Sequence, residues 1–124
     1  MKYGLKITQT AGGESNISLA EAEGVKVDGG MLFTYRYDGA DYRLTLTEDK
    51  ISHTRLGEVC LQMNFERGKA TVCTLSDGAN RGSFRIFTDL LRVQFNGACA
   101  TAECVFSDCA GGEATRITVL ATPL

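Results

Sequence analysis

Between Asp41 and Phe87 the chain alternates apolar and polar residues in short runs, with a turn signal every eight to twelve residues. Successive side chains of a strand point to opposite faces, so such runs read as half-buried strands. Parallel pairing would need crossovers of about a dozen residues or more, and the connections leave no room for them. An antiparallel meander of this size closes into a barrel, which removes its edges. The predicted fold is all-β: one antiparallel β-barrel domain spanning residues 1–124, with about ten strands and almost no helix.

Asp38-Gly39 is the strongest turn dipeptide of the chain. A two-residue loop there sets Tyr35 opposite Tyr42, Phe33 opposite Leu44 and Met31 opposite Leu46. All three pairs are apolar and share one face, so the register supports itself. The other face pairs Arg36 with Asp41 and Thr34 with Arg43. A second two-residue loop at Glu48-Asp49 sets Ile51 opposite Leu46, His53 opposite Leu44 and Arg55 opposite Tyr42. The apolar face thereby acquires a histidine and an arginine. An odd-length loop or a bulge near Gly57 then keeps Val59, Leu61, Met63 and Phe65 on that same side.

The flanks are read less sharply. Lys2 to Gln9 is a strand with Tyr3, Leu5 and Ile7 on one face. Asn16 to Glu21 is a weaker strand with Ile17 and Leu19 together on a face. Glu21-Ala22-Glu23 extends it or forms a short helical turn, and Val25 to Val27 is a separate short piece. Ser76 to Arg81 is the longest loop-like segment. Gly82 to Thr88 carries Phe84 and Ile86, and Leu91, Val93 and Phe95 follow. In the strand 98–106, either the set Ala98, Ala100, Ala102, Cys104 and Phe106 or the set containing Glu103 can face inward.

Composition narrows the function classes. The 13 Lys and Arg are outnumbered by 15 Asp and Glu, net −2, which argues against a general nucleic-acid binder. It argues equally against a polybasic membrane-surface protein. No run reaches the ~18 apolar residues of a membrane helix. The opening residues hold no apolar secretory core, so a cytoplasmic location is expected. An odd count of five cysteines then reads as reduced thiols. Cys99, Cys104 and Cys109 are spaced wrongly for a zinc knuckle, and with a single histidine a zinc site would need distant residues to converge. No cofactor or metal is expected. No G-x-S-x-G, H-E-x-x-H or phosphate-binding glycine loop is present, and no carboxylate pair is placed for acid–base work.

Arg55-Leu56-Gly57, Phe65-Glu66-Arg67-Gly68-Lys69, Gly82-Ser83-Phe84-Arg85-Ile86-Phe87-Thr88 and Asn96-Gly97 occur in an order that resembles the YwiB-like family of bacterial proteins. The resemblance runs from about Val25 to Val119. It implies a lipocalin-like, or calycin-like, barrel and brings no catalytic residues with it. Departures are His53, where the family tends to be apolar, and the SDGANR segment, where it tends to have Thr-Pro. The family comparison also puts Glu103 on the inner face.

The expected function is a non-enzymatic module that holds a small, partly apolar ligand inside the barrel, with an anionic group as an option that Arg55 opens. Tyr35, Tyr42, His53 and Arg55 would line the site, and Glu103 would be the carboxylate partner that a buried arginine requires. The competing expectation is a barrel filled by its own side chains. Its outer surface, including Arg36, Arg43, Arg85, Arg92 and Arg116, would then bind a protein or RNA.

Overall fold

The computed structural model describes all residues from Met1 to Leu124. Ten strands follow one another: β1 (Lys2–Ala11), β2 (Glu14–Val27), β3 (Gly30–Tyr37), β4 (Ala40–Thr47) and β5 (Lys50–Leu56), then β6 (Cys60–Glu66), β7 (Ala70–Ser76), β8 (Arg81–Asn96), β9 (Cys99–Asp108) and β10 (Thr115–Pro123). Each pairs antiparallel with its neighbours in sequence, and β10 returns to β1 through nine residue pairs. The result is a closed meander barrel with no unpaired edge. No helix of the chain is long and apolar enough to cross a membrane.

The central hairpins carry the expected register. Asp38 and Gly39 both adopt positive φ, 48° and 78°. A tight turn of that hand matches the twist of the flanking strands, which is why Asp-Gly suits it. Tyr35 then faces Tyr42, Phe33 faces Leu44 and Met31 faces Leu46. On β5, Arg55 faces Tyr42, His53 faces Leu44 and Ile51 faces Leu46. The β5–β6 connection pairs Arg55 with Leu61, His53 with Met63 and Ile51 with Phe65, so the inward face continues unbroken.

The structure settles three points on the flanks. First, β2 is one strand of 14 residues, with no helical turn and no break before Val25. Gly24 keeps it continuous: a Cβ there would sit 2.6 Å from the Tyr3 ring, so the glycine is a seat for an aromatic side chain. Second, Ile17 and Leu19 point outward, 57% and 68% exposed. Ser18, Ala20 and Ala22 take the inward positions opposite Ile7, Leu5 and Tyr3. Third, Ser76 and Arg81 are paired strand ends, and only four residues connect them. Asp77 and Asn80 close that turn, with the Asn80 amide donating to the Asp77 carboxylate.

The strand β8 runs 16 residues because it bends. Its register against β9 shifts between Thr88 and Leu90, which inserts one residue. Thr88 and Leu91, three positions apart, are therefore both buried. On β9 the small set wins: Ala100, Ala102 and Cys104 are buried, and Glu103 lies outside.

The interior is filled at one end. Tyr3 meets Phe33 edge-on at 5.1 Å, with the Tyr3 hydroxyl turned to the Met31 sulfur. Leu44, Leu46 and Ile51 complete this floor, all nearly inaccessible to solvent. Phe65 and Phe106 pack at 4.9 Å above it.

Candidate functional site

Above that floor the barrel opens into a cavity of about 300 Å³. The twist of β3, β4 and β5 brings Tyr35, Tyr42 and His53 side by side on its wall. Tyr35 and Tyr42 stack with ring centres 5.1 Å apart and planes within 5°. His53 continues the stack, 5.4 Å from Tyr42. This follows from the register alone: Tyr35 and Tyr42 are directly opposed, and His53 is one diagonal step away.

The polar groups of this stack are joined in two pairs. The Tyr35 hydroxyl and His53 Nε2 share a hydrogen bond of 2.6 Å. Arg55 donates from Nε to the Tyr42 hydroxyl at 3.2 Å and from one terminal nitrogen to the Val59 carbonyl at 2.6 Å. Burial disfavours the charged ring and lowers the His53 pKa from 6.5 to about 4, so the imidazole is neutral near pH 7. Burial, with Tyr42 adding to it, raises the Tyr35 phenol well above its ordinary value. Two neutral hydrogen-bonding groups thus sit deep, and one permanent cation sits at the mouth.

The rest of the lining divides by height. Ile7, Met63, Phe65, Phe106 and Ile117 supply apolar surface. Gln9, Asn16, Ser18 and Tyr37 bring polar atoms toward the open end. No Asp or Glu lines the cavity. Arg55 is the only charged group there, and its partners are a phenol and a carbonyl.

Four of the five expected site residues, Tyr35, Tyr42, His53 and Arg55, therefore meet in one cavity. Glu103 does not join them. It stands on the outer wall, hydrogen-bonded to Arg116 on the neighbouring strand. The small residues Ala100, Ala102 and Cys104 pack more densely inside than a glutamate could, and Arg55 needs no carboxylate because it reaches its oxygens at the mouth. Gln9, Asn16 and Ser18 escaped the sequence reading. Their signal is a polar residue continuing the inward series Tyr3, Leu5, Ile7, and the alternation of β2 alone does not say which of its faces is inward.

The cysteines are all free thiols, scattered over the fold, and no group of three ligating side chains comes together. The outer arginines are not a continuous basic stripe: Arg36 is paired with Asp41 at 3.0 Å and Arg116 with Glu103.

No protein-family model and no curated protein sequence matches the chain. Among solved structures, the crystal structure of the ywiB protein from Bacillus subtilis superimposes with a TM-score of 0.73. It is 12% identical and covers 99% of this chain and 90% of its own. At that identity the likeness concerns the fold: a closed, ten-stranded, all-antiparallel barrel similar to that of ywiB.

Proposed function

We propose that this chain is a non-enzymatic binding module that holds a small, partly apolar, anionic ligand in the open half of its barrel, in the manner of a lipocalin. One observation carries the reading: a cavity of about 300 Å³ whose only charged lining residue is Arg55. A cavity of that size sits at the small end of ligand sites. An apolar body would lie against Met63, Phe65, Phe106 and Ile117, and a flat ring would stack on the Tyr35–Tyr42–His53 wall. An anionic group would accept from the terminal nitrogens of Arg55 in place of the Val59 carbonyl. A cationic ligand finds no counter-charge there. The five free thiols suit a reducing compartment, and we place the protein in the cytoplasm.

The test compares native and denatured masses of freshly purified protein, then titrates the stripped protein with aromatic carboxylates and with their uncharged amides. The expected result is a non-covalent adduct of a few hundred daltons, and at least ~10-fold tighter binding of the acids than of the amides. That preference should disappear in Arg55→Ala and persist in Arg36→Ala, which alters only the outer wall. Equal binding of acids and amides, or none of either, would sink the proposal.

A further inference from the structure

One gap in the packing lies between the floor and the cavity. It measures about 20 Å³, and Ile7, His53, Phe65 and Ile117 border both it and the cavity. The two spaces therefore adjoin. The lower one is a consequence of β9. Alternation puts Ala102 and Cys104 inside, at the positions where β10 brings the larger Val119 and Ile117. Leu44 and Ile51 close the gap from β4 and β5.

What the gap can hold follows from its lining. Its volume admits one water or one methyl group. Buried water is held by about three hydrogen bonds. The polar side chains here are His53, whose Nε2 already shares a hydrogen bond with Tyr35, and the Cys104 thiol, a weak partner. Burial pushes the pKa of that thiol up to about 12, so it carries no charge that would draw water in. The gap is therefore dry, and a dry apolar gap takes apolar guests.

We infer that this gap is the deep end of the ligand site and takes a methyl-sized alkyl tip, on a ligand whose anionic group stays at Arg55. The inference rests on the function proposed above and adds the polarity of the ligand: an acid at the mouth, a bare alkyl group at the far end, and no hydroxyl there. Ile51 and His53 both border the gap, and Arg55 lies further along β5. The strand rises about 7–13 Å over that stretch. An aryl ring with a two-carbon link to its carboxylate spans such a distance.

Titration of the stripped protein with 3-phenylpropanoate and with its para-methyl and para-hydroxyl derivatives tests this. The methyl acid should bind at least ~4-fold tighter than the unsubstituted one, the gain of burying one further carbon. The hydroxyl acid should bind at least ~10-fold more weakly than the methyl acid, because its hydroxyl is buried short of partners. In Ala102→Val, whose added methyls fill the gap, the ratio of methyl to unsubstituted affinity should fall to about one. A second measurement needs no variant. Xenon, an apolar probe a little larger than a methyl group, should shift the methyl NMR signals of Leu44, Ile51 and Val119. Those shifts should vanish when the methyl acid is bound and persist with the unsubstituted acid. Acids that bind without a methyl preference, or a hydroxyl acid as tight as the methyl acid, overturn the inference and leave the proposed function standing. So do the absence of xenon shifts and shifts that survive the methyl acid. Binding of none of the acids removes both.

Discussion

The two halves of the barrel interior are made from the same strands and differ in what their inward positions carry. The floor holds Phe33, Leu44, Leu46 and Ile51, closed by Tyr3 and Met31, and almost none of it reaches solvent. The open half holds Tyr35, Tyr42, His53 and Arg55 around about 300 Å³ of space. On β5 the change takes two steps: Ile51 is floor, His53 is wall and Arg55 is mouth. Packing density gives the floor its stability, because methylenes there touch neighbours on almost every side. The open half forgoes those contacts and holds polar groups hydrogen-bonded to one another, Tyr35 with His53 and Arg55 with Tyr42. A region that forgoes packing while ordering its polar atoms is what the proposed ligand site requires.

The comparison is tested most severely by matched truncations. Phe33→Ala removes a ring with no solvent exposure and should cost about 3–5 kcal/mol in urea denaturation, lowering the melting temperature by roughly 10–20 °C. Met63→Ala removes a side chain that borders the cavity, where one flank already lacks protein neighbours. Its cost should stay near 1–2 kcal/mol. Equal losses in the two variants would mean that the open half is packed as tightly as the floor.

Acid should act on the open half. The folded state holds His53 neutral with a pKa of about 4, below its ordinary 6.5. Between those values the unfolded chain binds a proton that the folded chain does not, so stability falls as pH is lowered from about 6.5 to about 4. Below that window both states are protonated and the loss is complete. The shift corresponds to at most about 3 kcal/mol, reduced by whatever water the cavity admits to the ring. Carboxylates titrate nearby, so the readout is the difference from His53→Gln, which should lose less stability between pH 7 and pH 4. Parallel pH curves for the two proteins would show that the imidazole is solvated, not held in a dry wall.

Next in size is Gly24→Ala. Its new Cβ would fall 2.6 Å from the Tyr3 ring and 3.0 Å from that of Phe33, so the floor must give way. The expected loss is about 1–3 kcal/mol, with little change in ligand affinity because the cavity lies above. A variant that binds worse yet melts normally would place the boundary between the two halves lower than these contacts do.

Gly24 also shows where sequence reasoning stops. The register of β3, β4 and β5 was legible because Asp38-Gly39 admits one turn geometry, and a one-residue slip would turn Phe33 and Leu44 outward. The Tyr35–Tyr42–His53–Arg55 grouping followed from that register. The face of β2 was not legible, since apolar Ile17 and Leu19 compete with small residues for the inside and only the bulk of Tyr3 and Phe33 across the barrel decides. Gly24 looks like a strand breaker until the ring that occupies its place is known. The β8 bulge is likewise a tertiary event: nothing local marks Asp89 as the residue that lets both Thr88 and Leu91 face inward. Glu103 was misplaced for a related reason, because alternation on β9 offers two faces and only the crowding of the interior selects the smaller one.

Glu103 supplies the smallest of the expected effects, and it separates the inner wall from the outer. Its carboxylate bonds Arg116 on the solvent side of β9 and β10, where both side chains remain partly exposed. A pair in that setting gains little over its hydration and contributes about 0–1 kcal/mol. Glu103→Gln should therefore shift the urea midpoint barely, with a smaller difference still in high salt, which screens exposed pairs. It should leave ligand affinity at the wild-type value, because the barrel wall stands between residue 103 and the cavity. Arg55→Ala should do the reverse, changing affinity strongly and stability modestly, since its hydrogen bonds lie at the mouth and not in the floor. If Glu103→Gln weakened ligand binding as much as Arg55→Ala, the outer position of Glu103 would have to be abandoned, and with it the account of β9 as a strand that puts its smallest residues inside.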